Sequence, residues 1–233
     1  MNIVILGAAG DVGSRMVAEA LERDHQVTAV VRSERSLQAL PDMAAGRVVD
    51  VLEQPQLLQE IVVGHDVVIS ALRPPSGQEA QLKALTQSVL RAASSLSRPA
   101  FIVGGAATLH LPDQPEQTVL SAPGFLPDSV RPIAAACAAQ EVMLEEIACC
   151  LPEGQSRWVC LRPPAQLMPG PRTGRYAWGT DTLVVDGEGR SCISMEDFAM
   201  AMLDLVEGAS AFGRKLTVGW DDAVHVSNGS TAV

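Results

Sequence analysis

The chain has 233 residues, a hydrophobic content of 47% and a formal net charge of −10 at pH 7. This length and apolar content are sufficient for a globular core, and length alone permits one domain or two. The acidic balance argues against nucleic acid and anionic membrane surfaces as partners, because both attract basic patches.

Several other classes are disfavoured by simple patterns. No apolar run is long enough to span a bilayer, so no membrane association is expected. The first residues show no basic, cleavable leader pattern, and a cytoplasmic location is therefore predicted. The four histidines and five cysteines have no spacing typical of a metal site, so no metal is predicted.

The first predicted element is an apolar strand, Ile3 to Leu6, followed by a glycine-rich loop and a helical pattern. This order is typical of a dinucleotide-binding fold, in which the glycines provide the turn, room for a pyrophosphate and close helix packing. The following helix presents N–H groups and a positive dipole end to the phosphates. The spacing is G-x-x-G-x-x-G, and an ordinary glycine-rich turn is the alternative. The predicted phosphate loop comprises Gly7, Ala9, Gly10, Asp11, Val12 and Gly13.

Strand and helix patterns alternate along the next hundred residues. Strands are predicted at 27–31, 48–49, 67–69 and 100–103, and helices at 55–63 and 78–96. This alternation favours right-handed crossovers, and strands that are apolar throughout indicate a sheet covered on both faces. We therefore predict an α/β fold, a Rossmann-like doubly wound parallel sheet with helices on both faces and a small C-terminal lobe.

Beyond Gly104 the pattern becomes less regular. The predicted elements are a long loop at 110–131, a helix at 132–149, strands at 158–161, 175–178, 182–185 and 216–218, and a helix at 195–206 capped by Ser194. We predict a single NAD(P)-binding domain over residues 1–220. The predicted substrate lobe covers about 163–195, and 221–233 are predicted to form a tail.

The end of the second strand predicts which dinucleotide binds. An acidic residue there accepts a hydrogen bond from the adenosine ribose and selects NAD, whereas an arginine accommodates a 2′-phosphate. This strand ends in Arg32 and Ser33, with Arg35 close by and no Asp or Glu at the strand end. We therefore predict NADP(H) in preference to NAD(H), with a solvated surface charge as the alternative role of Arg32.

Two more strand ends supply predicted cofactor contacts. Asp50 and Val51 close the third strand, where a carboxylate can accept from the adenine amine; a helix cap or turn is the alternative for Asp50. Ala71, Leu72 and Arg73 follow the fourth strand and are expected to pass over the pyrophosphate. Arg73 could contact phosphate or an acidic substrate, or be a plain loop residue.

Taken together, these residues resemble a known family. The loop at 7–13, Arg32-Ser33, Asp50-Val51, Gly104-Gly105-Ala106-Ala107 and Arg162-Pro163-Pro164 are similar to atypical short-chain dehydrogenase/reductases of the NAD(P)H-binding, NmrA-like type. Runs at 169–176 and 189–199 resemble the C-terminal signature of the NADH-flavin reductase-like group, and biliverdin-IXβ/flavin reductase is a more distant relative. The resemblance covers about residues 1–220.

That resemblance implies a Rossmann-like sheet and an NADPH-type cofactor across the carboxyl ends of its strands. It implies that Gly104, Gly105 and Ala106 lie near the nicotinamide, with Pro164 and Ala165 against the nicotinamide ribose and ring. From the residues alone, 162–164 could instead be a rigid turn.

Most short-chain dehydrogenases reduce carbonyls with a Tyr-x-x-x-Lys pair and a serine, of which the tyrosine transfers the substrate proton. This chain has one tyrosine, Tyr176, and neither of its two lysines stands at the required spacing. Residues 105–107 occupy the serine position without a hydroxyl, and Thr108 is the nearest one. That mechanism is excluded, and the catalytic residue is left open, with Thr108 and Tyr176 as candidates.

Two functions follow from this pattern. The first is a reductase, monomeric or homodimeric, that passes a hydride to a small flavin or quinone-like acceptor without a protein acid. The candidate acceptor contacts are Phe125, Tyr176, Trp178, Leu109, Gln140 and His110, with packing or bystander roles as alternatives. The second is a non-catalytic NADP(H) sensor whose 110–131 loop faces a partner.

Overall fold

The computed structural model describes residues 1–150, 157–208 and 212–221. Its strands are β1 (Asn2–Leu6), β2 (Gln26–Val31), β3 (Ala45–Val48), β4 (Val67–Ser70), β5 (Ala100–Val103), β6 (His110–Leu111), β7 (Gln114–Thr118), β8 (Trp158–Arg162), β9 (Gln166–Met168), β10 (Ala177–Gly179), β11 (Cys192–Ser194) and β12 (Arg214–Gly219). Its α-helices are α1 (Asp11–Glu22), α2 (Glu34–Leu37), α3 (Pro55–Val62), α4 (Leu82–Ser94), α5 (Arg131–Cys150) and α6 (Met195–Gly208).

One eight-stranded sheet organises the molecule, in the order β10-β12-β8-β5-β4-β1-β2-β3. All neighbours pair in parallel except the edge strand β10, which is antiparallel to β12. The chain runs outward from β1 to β3 and then returns to β4 on the other side of β1. This reversal leaves a crevice at the carboxyl ends of β1 and β4, where ligands bind in folds of this kind. The predicted doubly wound parallel sheet is confirmed.

Both faces of the sheet are covered, as the continuous apolar strands predict. Ile3 and Ile5 of β1 pack into a core with α1 and α6, whereas Val4 and Leu6 pack into a second core with α3 and α4. Successive side chains of a strand point to opposite faces, so an apolar residue at every position requires two cores.

The C-terminal lobe is held to α6 by buried hydrogen bonds. The carboxylate of Asp197, which is fully buried, accepts from the Thr173 N–H at 2.6 Å, the Gly174 N–H at 2.9 Å and the Trp220 Nε1–H at 2.7 Å. The predicted cap is confirmed, because the Ser194 hydroxyl accepts from the Asp197 N–H at 3.0 Å.

An ion pair joins the same lobe to α1. Arg172 contacts the buried Glu19 at 2.7 Å, and Arg23 contacts the other Glu19 oxygen at 2.7 Å. Burial alone would raise the pKa of Glu19, but the bonds to Arg172 and Arg23 outweigh it and hold that pKa below its usual value. The carboxylate is therefore kept charged where α1 meets the lobe.

Some predicted elements differ from the structure. The segment 110–131 is not an open loop, because β6 and β7 pair as a hairpin within it. A strand at 182–185 is absent from the described residues, and Thr182 makes only an isolated bridge to His110. The small strands β9 and β11 pair with each other outside the main sheet. Such short, half-exposed pairs carry no apolar alternation, so their sequences do not reveal them. The predicted tail at 221–233 lies outside the described residues except for residue 221.

Candidate functional site

The glycine loop joins β1 to α1 in a way that only glycine allows at two positions. Gly7 has φ +77°, and a Cβ there would lie 2.6 Å from the Ala71 carbonyl oxygen. A Cβ on Gly13, in the first turn of α1, would lie 2.1 Å from the Gly7 carbonyl oxygen. The predicted turn and close helix packing are therefore both confirmed. Gly13 does not line the cleft at the carboxyl ends of the strands, and its role is to bring α1 against the loop.

The N-terminus of α1 has no side-chain cap. Gly10 takes the cap position with an extended backbone and makes no capping hydrogen bond. The N–H groups of Asp11, Val12 and Gly13 have no acceptor among the described residues, whereas the Ser14 N–H bonds to the Gly10 carbonyl at 2.9 Å. Free N–H groups at the positive end of a helix form a ready-made anion site. The loop therefore fits the pyrophosphate of a dinucleotide.

An outer compartment of about 350 Å³ opens at the carboxyl ends of β1, β2 and β3. Arg32 and Ser33 line it from the end of β2, and Ser36 lines it from α2. Arg32 is exposed and has no hydrogen-bond or ion-pair partner among the described residues. The predicted Arg35 lies on the exposed side of α2 and does not line the compartment.

Asp50 lines the outer compartment but also has a local structural role. One of its carboxylate oxygens accepts from the Leu52 N–H at 3.0 Å and the Glu53 N–H at 3.2 Å. The turn reading of this residue is therefore confirmed. Its other carboxylate oxygen makes no hydrogen bond within the described residues, and Val51 lines the compartment beside it.

An inner compartment of about 590 Å³ lies beyond β4, between the ends of β5 and β8 and the start of α5. The predicted residues that line it and not the outer compartment are Asp11, Val12, Gly104, Gly105, Ala106, Pro164 and Ala165. Its far wall is apolar and comes from Val130, Ile133 and Ala134 of the α5 region, with Leu126 and Leu82. No serine, threonine, tyrosine, histidine or lysine lines this compartment in the part of the chain described.

The two compartments share one wall. Gly10 and the segment Ala71–Pro74 line both of them. The Ala71 N–H bonds to the Leu6 carbonyl at 2.9 Å, which holds the segment beside β1. The result is one continuous cleft across the switch point of the sheet, and the predicted Ala71, Leu72 and Arg73 lie at its centre.

A buried charged network supports the loop that forms the inner compartment. Arg162, at the end of β8, is fully buried and contacts Glu141 of α5 at 3.3 Å and Asp181 at 3.2 Å. Its guanidinium also donates to the Thr180 carbonyl and, at 3.3 Å, to the Thr108 hydroxyl. One guanidinium thus ties the loop after β5 to α5 and to residues 180–181.

The candidate hydroxyl of Thr108 belongs to this network rather than to a cavity. It donates to the Glu141 Oε2 atom at 2.6 Å and does not line either compartment. Gln140 is also turned away, because it is buried and donates to the Thr86 hydroxyl of α4 at 2.8 Å. Gln140 therefore does not line the inner compartment, in agreement with its alternative role as a bystander; one turn earlier on α5, Cys137 lines the compartment instead.

Tyr176, the other catalytic candidate, lies outside both compartments. Its hydroxyl donates to Asp204 of α6, and its ring meets that of Trp178 edge to face with centroids 5.8 Å apart. Burial and the bond to Asp204 raise the pKa of Tyr176 above its ordinary value, the opposite of what a proton-transferring tyrosine needs. The structure does not place Tyr176 or Trp178 in the cleft, since Trp178 lies in the edge strand β10 and Tyr176 directly precedes that strand.

The remaining acceptor candidates are also absent from the linings. Leu109 is fully buried in a small core with Leu111 and Val119, and His110 pairs with Thr182 through the backbone. Phe125 is exposed, whereas its neighbour Leu126 lines the inner compartment. The apolar wall of α5 was not predicted from the sequence. Ile133 and Cys137 in this wall are four residues apart, which is the spacing between the tyrosine and the lysine of a Tyr-x-x-x-Lys pair.

Within the described ranges, no three His, Cys, Asp or Glu side chains cluster as metal ligands would. In the same part of the chain, no helix is both long and apolar enough to cross a bilayer.

The open helix N-terminus, the cleft at the switch point and the strand order define a Rossmann-type dinucleotide-binding protein. More particularly, the chain belongs to the NAD(P)H-binding family, which it matches over residues 7–208. The uncharacterized protein YwnB of Bacillus subtilis (strain 168) is similar to it, with 31% identity over 226 residues, 94% of this chain and 98% of the relative.

Solved structures share the fold. A candidate epimerase from Bacteroides thetaiotaomicron is 31% identical with a TM-score of 0.81, and the match covers 94% of this chain and 96% of that one. A candidate NADH-flavin reductase from Streptococcus pneumoniae is 24% identical with a TM-score of 0.76, and the match covers 94% and 99%. The family and fold indicated by the sequence resemblance are thus confirmed.

Proposed function

We propose that the chain is an NADP(H)-dependent reductase that passes a hydride to a flat conjugated acceptor, a flavin or a quinone, without a Tyr-x-x-x-Lys pair. The observation that carries the proposal is the apolar inner compartment, which adjoins the dinucleotide cleft and is the larger of the two at about 590 Å³. A flat apolar ring suits such a wall, and the fold shared with a candidate NADH-flavin reductase agrees with this acceptor class.

The chain's own residues would divide the binding between the two compartments. The free N–H groups of α1 would hold the pyrophosphate, Arg32 and Asp50 the adenosine half, and Gly104–Ala106 with Pro164 and Ala165 the nicotinamide half. When bound, the cofactor supplies a hydride from its nicotinamide ring, and the acceptor, with one proton from water, becomes its dihydro form. The protein's part is to align two rings and to exclude competing reactions.

No side chain of the inner compartment is suited to act as a proton donor in place of tyrosine. Burial raises the pKa of Cys137 to about 11, so its thiol stays protonated and is a poor acid at neutral pH. Flavins and quinones suit a compartment without a proton donor, because solvent can protonate their reduced forms. Ketones need a positioned acid and fit it less well.

The acceptor site can be tested with adjacent substitutions on α5. Ala134 lines the inner compartment, whereas Ala135 is exposed. Ala134→Phe is expected to fill the cavity and to lower kcat/KM for FMN or a quinone by about tenfold or more, because an overfilled cavity excludes the ring. The measurement is the loss of NADPH absorbance in the presence of each acceptor.

Ala135→Phe is the matched control and is expected to react like the unchanged chain. Equal activity of the two variants would argue against an acceptor site at this wall. Tight NADPH binding without turnover of any flavin or quinone would remove the reductase proposal and favour a non-catalytic NADP(H) sensor.

Cofactor preference is tested at Arg32, the unpaired cation at the end of β2. Arg32→Asp is expected to weaken NADPH binding by about 10- to 100-fold and NADH binding far less, because a charge-assisted hydrogen bond to phosphate is lost. Calorimetry gives the dissociation constants for both cofactors, and the ratio of the NADH constant to the NADPH constant measures the preference for NADPH. Arg35→Asp makes the same charge change outside the compartment and should preserve the ratio. Equal losses of NADPH and NADH binding in Arg32→Asp would show that Arg32 does not read the 2′-phosphate.

A cytoplasmic location, a monomeric or homodimeric state and the domain limits at 1–220 stay predictions.

A further inference from the structure

Arg73 is the one basic side chain among the described residues that line the inner compartment. The other ionisable groups of that lining are Asp11, at the start of α1, and the thiol of Cys137 in the α5 wall. A largely apolar cavity whose lining holds a single cation can pair that cation with one negative charge on a ligand that has an apolar body.

The guanidinium of Arg73 is not engaged by the protein. It is exposed and has no hydrogen-bond or ion-pair partner among the described residues, unlike the buried Arg162, which has several. Its charge acts on Glu79, which lines neither compartment, and on the Cys137 thiol, whose pKa it lowers against the larger effect of burial. Because Cys137 lines the inner compartment, the field of Arg73 reaches into that compartment.

The backbone presents Arg73 at a fixed place. The segment Ala71–Pro74 is held beside β1 by the bond from the Ala71 N–H to the Leu6 carbonyl, and Pro74-Pro75 follow directly. Two successive prolines restrict the backbone on the carboxyl side of Arg73. Arg73 thus lies on a restrained segment of the wall shared by both compartments rather than on a mobile loop.

The pyrophosphate of the cofactor has other donors. The open N-terminus of α1 offers the free N–H groups of Asp11, Val12 and Gly13, and Arg32 serves the far end of the outer compartment. The charge of Arg73 is therefore available to a second ligand on the inner side of the wall.

We propose that Arg73 is a specificity-determining residue that selects acceptors carrying an anionic group, a phosphate or a carboxylate, attached to the ring that takes the hydride. This inference rests on the proposed reductase function and names the class of acceptor that the site prefers. A guanidinium binds either anion with charge-assisted hydrogen bonds, so the shared chemistry is the negative charge.

FMN and riboflavin test the inference, because they carry the same redox ring and differ only in the phosphate. With saturating NADPH, the unchanged chain is expected to give a kcat/KM for FMN about tenfold or more above that for riboflavin. Arg73→Ala should bring the two values together by lowering the FMN value alone, and Arg73→Lys should keep part of the preference. The preference should also fall as salt is raised.

A binding measurement tests the preference for an anionic acceptor independently of hydride transfer. Quenching of flavin fluorescence in the presence of NADP⁺ gives dissociation constants for both flavins without turnover, and the same FMN preference and the same loss in Arg73→Ala are expected. Lys83→Ala removes one positive charge from an exposed position of α4 that lines neither compartment, and it should change nothing.

Each outcome is decisive. Equal affinity of the unchanged chain for the two flavins, or binding of neither, would overturn the role of Arg73. A matching loss of NADPH affinity in Arg73→Ala would also overturn it and assign the guanidinium to the cofactor. Absence of turnover together with preferential FMN binding would instead remove the reductase proposal and leave the anion selectivity in place.

Discussion

Glu141→Leu is expected to lower the free energy of unfolding by about 3–5 kcal/mol, because it leaves the buried Arg162 without its buried partner. The Glu141 Oε2 atom lies 3.3 Å from the Arg162 guanidinium, 2.6 Å from the Thr108 hydroxyl and 3.5 Å from the Lys215 ammonium. The substitution therefore removes the shared acceptor of three donors. Urea unfolding monitored by tryptophan fluorescence would measure the loss.

The neighbouring Glu145 provides the matched control. It pairs with Lys215 at 2.5 Å, but its side chain is 52% exposed. Glu145→Leu is expected to cost at most about 1 kcal/mol, as surface ion pairs do. The double variant Glu141→Leu with Arg162→Met should recover part of the stability, since removing both charges avoids an unpaired one. Similar losses for Glu141→Leu and Glu145→Leu would show that the buried network is not a principal support of the site.

Gly13→Ala is expected to weaken NADPH binding by about 10- to 100-fold, because overpacking of this kind costs ~1–3 kcal/mol and also displaces the anion site. The added Cβ would lie 2.1 Å from the Gly7 oxygen and 2.8 Å from the Gly7 carbonyl carbon, both backbone atoms. The start of α1 and the loop must separate, and the free N–H groups of Asp11 and Val12 then move out of position. Calorimetric titration with NADPH measures the affinity.

A second glycine on a helix shows whether the effect depends on position. Gly208, the last residue of α6, has open space where its Cβ would be, so Gly208→Ala should bind NADPH as tightly as the unchanged chain. Circular dichroism of both variants would separate loss of the site from loss of the fold. Unchanged affinity in folded Gly13→Ala would mean that the loop tolerates a side chain there and does not fix the cradle.

The outer half of the cleft was largely predictable from local sequence. Arg32, Asp50 and Leu72 each lie within two residues of the end of a strand, and parallel strands deliver their carboxyl ends to one edge. All three line the outer compartment, and their contact with a cofactor stays a prediction. Arg35 does not line the compartment, because the short helix α2 leaves it exposed on another side, and a four-residue helix leaves no periodic pattern to read.

The inner half was predicted only in part, for a physical reason. Ile133, Ala134 and Leu126 line the cavity, yet apolar residues on a helix or loop look the same whether they face a core or a ligand. Tyr176 was favoured because it is the single tyrosine, but rarity in a composition says nothing about position. The network around Arg162 joins residues far apart in the chain, and only the folded structure brings them together.

The wall shared by the two compartments has a consequence for inhibitor design. Gly10 and Ala71–Pro74 line both cavities, so a single molecule could occupy the two without leaving the cleft. A nucleotide analogue covalently joined to a flat apolar ring would place its second half at high effective concentration once the first is bound. Such a bisubstrate compound should bind more tightly than either of its fragments alone.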